Sequence, residues 1–207
     1  MRKLSVVAFM AFALTACGSD SRDGNTTPAP TPIPTPQLSS DQCYLMSTSL
    51  GDITLAIDTV NTPVTGKNFA RYVEANFYDG TLFHRVIHNF MIQGGGFTSG
   101  LIGKPGFEPI VNEASVGFTN ERGTIAMART SAPNSATSQF FINTLDNPHL
   151  DQSANSYGYA VFGKVIEGME VVDQISIVAT TNQNGHSDVP VNEVVIESVA
   201  SIQCASL

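Results

Sequence analysis

Apolar residues alternate with polar or small ones along much of the chain beyond residue 50. Ile53, Leu55 and Ile57 alternate with Thr54 and Ala56, the period-two pattern of a half-buried strand. Comparable runs at residues 82–87, 90–93, 123–129, 139–143, 159–166 and 191–199 predict further strands. Two stretches carry a helical period instead. Thr62-Pro63 sets a cap before a first-turn proline, and Phe69, Tyr72, Val73 and Phe77 then recur at helical spacing. Residues 168–175 form a shorter segment with Met169, Val172 and Ile175 on one side. Between Thr98 and Arg122 the chain is rich in Gly, Pro and Asn, which predicts a long irregular loop. Many strands, two helices far apart and no regular β-α-β alternation argue against a doubly wound sheet. A mainly β fold is predicted, either a closed antiparallel barrel or a sandwich, with the helices as caps.

The chain before this domain has a different character. Arg2 and Lys3 precede an apolar run from Leu4 to Leu14, the layout of a secretory signal and too short for a membrane-spanning helix. Leu14-Thr15-Ala16-Cys17 resembles the lipobox of bacterial lipoproteins, which implies cleavage after residue 16 and a lipid on Cys17. Gly18 after the cysteine favours the outer membrane by the same resemblance. Thr27 to Pro36 alternates proline with Thr, Ala and Ile, a composition that favours stiff, solvated polyproline II. Three parts are therefore expected: a signal peptide over 1–16, a lipid-anchored Pro/Thr-rich tether over 17–41, and a folded domain over 42–207. That domain is expected to be a periplasmic monomer that meets the membrane through the anchor alone.

Charge narrows the function. Ten basic and 18 acidic residues give a net charge of −8, and loss of Arg2 and Lys3 with the signal moves it to −10. An acidic domain without a Lys/Arg cluster is a poor nucleic-acid binder, because phosphate contacts need a basic patch. With Cys17 lipidated, Cys43 and Cys204 remain near the two ends of the domain. In an oxidising compartment such a pair reads as a disulfide joining the terminal strands; the alternative is two free buried thiols.

Candidate chemistry concentrates in residues 83–97, where Arg85 lies among large apolar side chains with Gln93 eight positions on and Gly94-Gly95-Gly96 behind. No serine, cysteine or carboxylate lies in the run to act as nucleophile or base. Arg85 either snorkels to solvent or is presented at a pocket. His84 and His88 have a helical metal spacing, but on a strand they stand ~13 Å apart, so no metal site is expected. The glycines lack the following Lys-Ser/Thr of a phosphate loop. Ser135, Ser138, His149 and Asp151 lack the strained nucleophile turn of a hydrolase.

Four segments in order carry a resemblance: Phe83-His84-Arg85-Val86-Ile87 with Phe90-Met91-Ile92-Gln93-Gly94-Gly95, then residues 123–129, 138–143 and 159–165. Together they resemble the cyclophilin family of peptidyl-prolyl cis-trans isomerases, over nearly the whole stretch 45–202. The resemblance implies a closed eight-stranded antiparallel β-barrel capped by two α-helices, isomerase activity on proline-containing polypeptides, and no cofactor. It assigns Arg85 as the catalytic arginine, and Phe90, Met91, Phe141 and Leu150 as the pocket for the proline ring. Gln93 corresponds to the glutamine beside the arginine, placed to fix the guanidinium by a side-chain hydrogen bond. Ala128 and Arg129 correspond to the segment that holds the peptide. His149 and Tyr159 stand at substrate-binding positions where many members carry tryptophan and histidine, which implies weak cyclosporin binding. A second reading, from another class, is a tethered chaperone that holds Pro-containing segments with little turnover.

Overall fold

The computed structural model describes residues 36–204. The signal peptide, the lipidated Cys17 and the proline tract as far as residue 35 lie outside the described residues.

A first hairpin pairs β1 (Gln42–Thr48) with β2 (Gly51–Ile57). Helix α1 (Pro63–Glu74) follows, and then a second hairpin of β3 (Thr81–Ile87) and β4 (Met91–Thr98). The two-residue β5 (Ile102–Gly103) pairs with the end of β4. The irregular stretch leads to β6 (Thr124–Met127), β7 (Phe140–Asn143) and β8 (Val161–Glu167). Helix α2 (Met169–Ser176), the hairpin β9 (Thr180–Gln183) and β10 (His186–Pro190), and β11 (Val195–Ile202) complete the chain.

The strands run in the order β3-β11-β1-β2-β8-β6-β7-β4, and β4 pairs back onto β3. Every pairing is antiparallel. Eight strands thus close into a barrel, which leaves no exposed edge in the main sheet. The choice left open between barrel and sandwich falls to the barrel.

Alternation sorts the side chains between two layers. Phe83, Ile92, Ile125, Phe140, Ile142 and Phe162 enter the main core, where α1 adds Phe69 and Tyr72. Phe69 lies 6.1 Å from Phe140 and 5.6 Å from Phe162, ring centre to ring centre. Each fully buried side chain of this kind contributes about 1.5–3 kcal/mol. The opposite faces of the same strands present Met91, Ala126, Phe141 and Val161, which form a second cluster.

Three local details differ from expectation. The glycines at 94–96 continue β4 and do not interrupt it. Gly95 sits at φ +81°, where a side chain would strike Tyr78 and Phe140, so glycine is required for close approach to the core. Thr62 occupies the cap position but its hydroxyl donates to the Asp58 carbonyl. Glu113, from the long loop, caps α1 by accepting from the backbone N–H groups of Val64 and Thr65 and from the Thr65 hydroxyl. Finally, residues 191–194 lie outside any strand, with a bend at 191–192, and the last strand starts at Val195. Its partner β1 receives the other half of the Cys43–Cys204 disulfide, with Cα atoms 5.1 Å apart.

Candidate active site

Arg85 reaches the outside of the barrel because β3 bulges beside it. The pairing moves from Phe83 opposite Gly94 to Arg85 opposite Gln93, so β3 advances two residues while β4 advances one. The extra residue shifts the alternation: Phe83 and Val86 both point into the core although three positions separate them. Arg85 is thereby turned to the second layer, beside Met91 and Gln93. Bulges of this type re-aim side chains next to active sites.

Arg85, Met91, Gln93, Phe141 and Ala128 line a small open pocket of about 140 Å3 together with Phe90, Arg129, Leu150 and Tyr159. Of the residues picked from the sequence, only His149 stays off its wall. His149 stacks on the outer side of Phe90, with ring centres 5.5 Å apart. Wider clefts exist elsewhere on the surface, but one has no arginine in its lining and the arginine of the other, Arg122, is tied to Asp173.

Phe90 belongs to the turn before β4, its N–H donating to the Ile87 carbonyl. Being off the strand, it escapes the alternation that would have turned it away from Met91. Phe141 and Tyr159 meet edge to face at 5.6 Å, and the Arg129 guanidinium lies 4.4 Å over the Tyr159 ring. Arg129 is further held by donating from Nε to the Gly158 carbonyl and from Nη1 to the Thr130 carbonyl. Both arginines therefore stand in the rim, but only Arg129 is tied to backbone.

Gln93 has a partner other than the one expected. Its Nε2 donates to Gln139 Oε1 at 3.0 Å, and Arg85 instead has Asp188 as a neighbour, with Nε 3.7 Å from Oδ2. His84, in the bulge, is buried against Phe97 at 4.6 Å. Burial pushes its pKa down to about 4, so at neutral pH it is uncharged and is no proton donor to a substrate.

A buried ladder of amides, which no motif announced, supports two walls of the pocket. Asn147 Nδ2 donates to the Phe90 carbonyl and to Asn143 Oδ1. Asn143 Nδ2 donates to Asn120 Oδ1, and Asn120 Nδ2 to the Tyr159 carbonyl. Leu150 joins through its own carbonyl, which accepts from the Tyr159 N–H. The available signal was an asparagine ending an apolar strand, since a buried amide needs partners.

The arrangement contains no nucleophile and no neutral-pH general acid. It offers apolar walls and a permanent donor, suited to holding a small ring beside an amide. Comparison with known proteins agrees. The family described as "Cyclophilin type peptidyl-prolyl cis-trans isomerase/CLD" matches residues 43–201. Peptidyl-prolyl cis-trans isomerase A of Dickeya dadantii is 54% identical over 77% of this chain and 84% of that protein. Peptidyl-prolyl cis-trans isomerase B of Escherichia coli is 53% identical over 73% of this chain and 94% of that protein. A cyclophilin-type isomerase of Cryptosporidium parvum, crystallised in the presence of the dipeptide Ala-Pro, superposes with a TM-score of 0.68 at 28% identity, covering 79% of this chain and all of that one. The chain belongs to the cyclophilin-type peptidyl-prolyl cis-trans isomerases.

Proposed function

We propose that Arg85 carries the catalysis by donating a hydrogen bond to the prolyl amide nitrogen as that amide twists, while Phe90, Met91, Phe141 and Leu150 hold the proline ring. Rotation about a peptide bond faces a barrier of about 18–20 kcal/mol set by amide resonance. At the twisted geometry conjugation is lost and the nitrogen becomes a hydrogen-bond acceptor, which it is not in either planar isomer. A donor that bonds only the twisted state lowers the barrier without a covalent intermediate. The observation that carries this reading is the Arg85 guanidinium at the rim of the apolar pocket. Arginine stays protonated throughout, so its donors are always available.

The clients proposed are exported proteins with X-Pro bonds, met by a domain anchored through Cys17. The export signal and lipobox pattern support this address, and the Cys43–Cys204 disulfide suits an oxidising compartment. The pair of an arginine and a ring-sized pocket favours turnover over passive holding.

The test is an isomerisation assay on an Ala-Pro peptide with the parent chain and with Arg85→Ala. The variant is expected to lose about 100-fold or more in turnover, the usual cost of removing one transition-state donor, with peptide affinity changed little. Arg85→Lys should recover only part, because the forked geometry is lost. A parental rate for Arg85→Ala rules the mechanism out. For the address, Cys17→Ser should move the protein from the membrane to the soluble fraction.

A further inference from the structure

Arg85 is a long, flexible side chain whose expected partner, Gln93, is bound to Gln139. Among the described residues, one group of opposite charge stands next to it: Asp188 Oδ2, 3.7 Å from Arg85 Nε, with both side chains about two-fifths exposed. We propose that Asp188 is a positioning residue for Arg85, holding the guanidinium over the proline pocket from behind. The inference rests on the catalytic role proposed for Arg85.

The backbone at the bulge of β10 aims this carboxylate. The β9–β10 pairing slips between His186 and Val189, so β10 bulges at Ser187 and Asp188. Asp188 itself adopts φ +61°, in the left-handed region where glycine is least strained and Asp and Asn are tolerated better than most other residues. The hairpin turns through Asn184 and Gly185, both also at positive φ, which folds β10 back so that it packs along β3, the strand bearing Arg85.

The contact does not act through stability. A half-exposed ion pair is largely screened by water and contributes little to folding. Its effect is on where the guanidinium spends its time. The closest approach is through Nε, and neither terminal amino group of Arg85 donates a hydrogen bond among the described residues. An arginine already held in the productive orientation loses less freedom at the transition state, whereas free peptide binding in the apolar pocket is unaffected. Loss of Asp188 should therefore lower kcat and leave KM unchanged.

Asp188→Asn keeps the shape and tolerates left-handed φ; Asp188→Gly removes the backbone strain altogether. Both are expected to keep the parental Tm or raise it, and to lower kcat by about three- to tenfold on an Ala-Pro peptide at constant KM. Raising salt from about 20 mM to about 500 mM, which shortens the Debye length from roughly 20 Å to roughly 4 Å, should bring the parent down toward the variants and leave the variants unchanged. In an Arg85→Ala background, Asp188→Asn should have no further effect. Parental kcat in both variants, or an equal loss with and without Arg85, overturns the role of Asp188. The first result leaves the role of Arg85 standing, because Arg85→Ala in the same series reports on it separately. A parental rate for Arg85→Ala would sink both together.

Discussion

Gln93 Nε2 lies 3.0 Å from Gln139 Oε1 and donates to it, joining the strand of the arginine's neighbour to the start of the β7 segment. The Gln139 carbonyl in turn accepts from the Ala128 N–H on the adjoining segment. One glutamine pair thus braces the lower edge of the pocket across three pieces of chain.

Gly96 makes room for that pair. A Cβ there would run into the Gln139 side chain, which is flexible enough to swing away. Gly96→Ala is expected to cost only about 1–3 kcal/mol of stability but to break the glutamine pair. Peptide KM should rise several-fold, and a KM at the parental value would show that the brace is unimportant.

His84 makes stability depend on pH in a defined window. Its pKa is pushed down to about 4 by burial, whereas the unfolded chain takes up that proton near the ordinary value of about 6.5. Between these values the unfolded state binds the extra proton, so stability falls as pH drops through the window, by up to on the order of 3 kcal/mol. Urea unfolding of the parent and of His84→Gln at several pH values isolates this share. The slope should flatten in the variant, and isomerisation near neutrality should show no titration of His84.

Glu113 is expected to matter more than its place in a loop suggests. It satisfies the Val64 and Thr65 N–H groups and the Thr65 hydroxyl, and those two N–H groups have no carbonyl partner within the helix. Glu113→Ala should destabilise by about 1–2 kcal/mol, typical of a lost cap, readable as a drop in Tm. Glu113→Gln should lose less, since one amide oxygen can still accept.

The Cys43–Cys204 bond spans 161 residues and joins β1 to the stretch after β11. Replacing both cysteines with serine should cost about 2–5 kcal/mol. Neither cysteine lines the proline pocket, so turnover below the melting range should match the parent. A large loss of kcat would mean that the disulfide shapes the site.

Arg122 and Asp173 form a bidentate pair at 2.8 Å, and the hydrogen bonds from Arg122 hold the Asp173 carboxyl below its usual range. The sign is that of a stabilising carboxylate: its share is present near neutrality and lost as pH falls through the lowered value. Half exposed to water, it should be minor beside the His84 effect.

The pocket walls were legible in the sequence through the resemblance of four ordered segments to the cyclophilin family, because alternation alone does not tell a pocket face from plain core. Met91, Phe141 and Ala128 were placed by that resemblance, and the cysteine pair by its position at the two ends. Tertiary structure decided what depends on the partner strand. The bulge that turns Arg85 outward is a mismatch of register between β3 and β4, invisible from either strand alone. Phe90 faces the pocket because pairing begins one residue later. Asn120 joined Asn143 and Asn147 as a support only when the segment before β6 came to lie beside the end of β7, and Asp188 reaches Arg85 from 103 positions along the chain. Chemistry-bearing residue types are written locally, but the orientation of a charged side chain is set by contacts that exist only once distant segments pair.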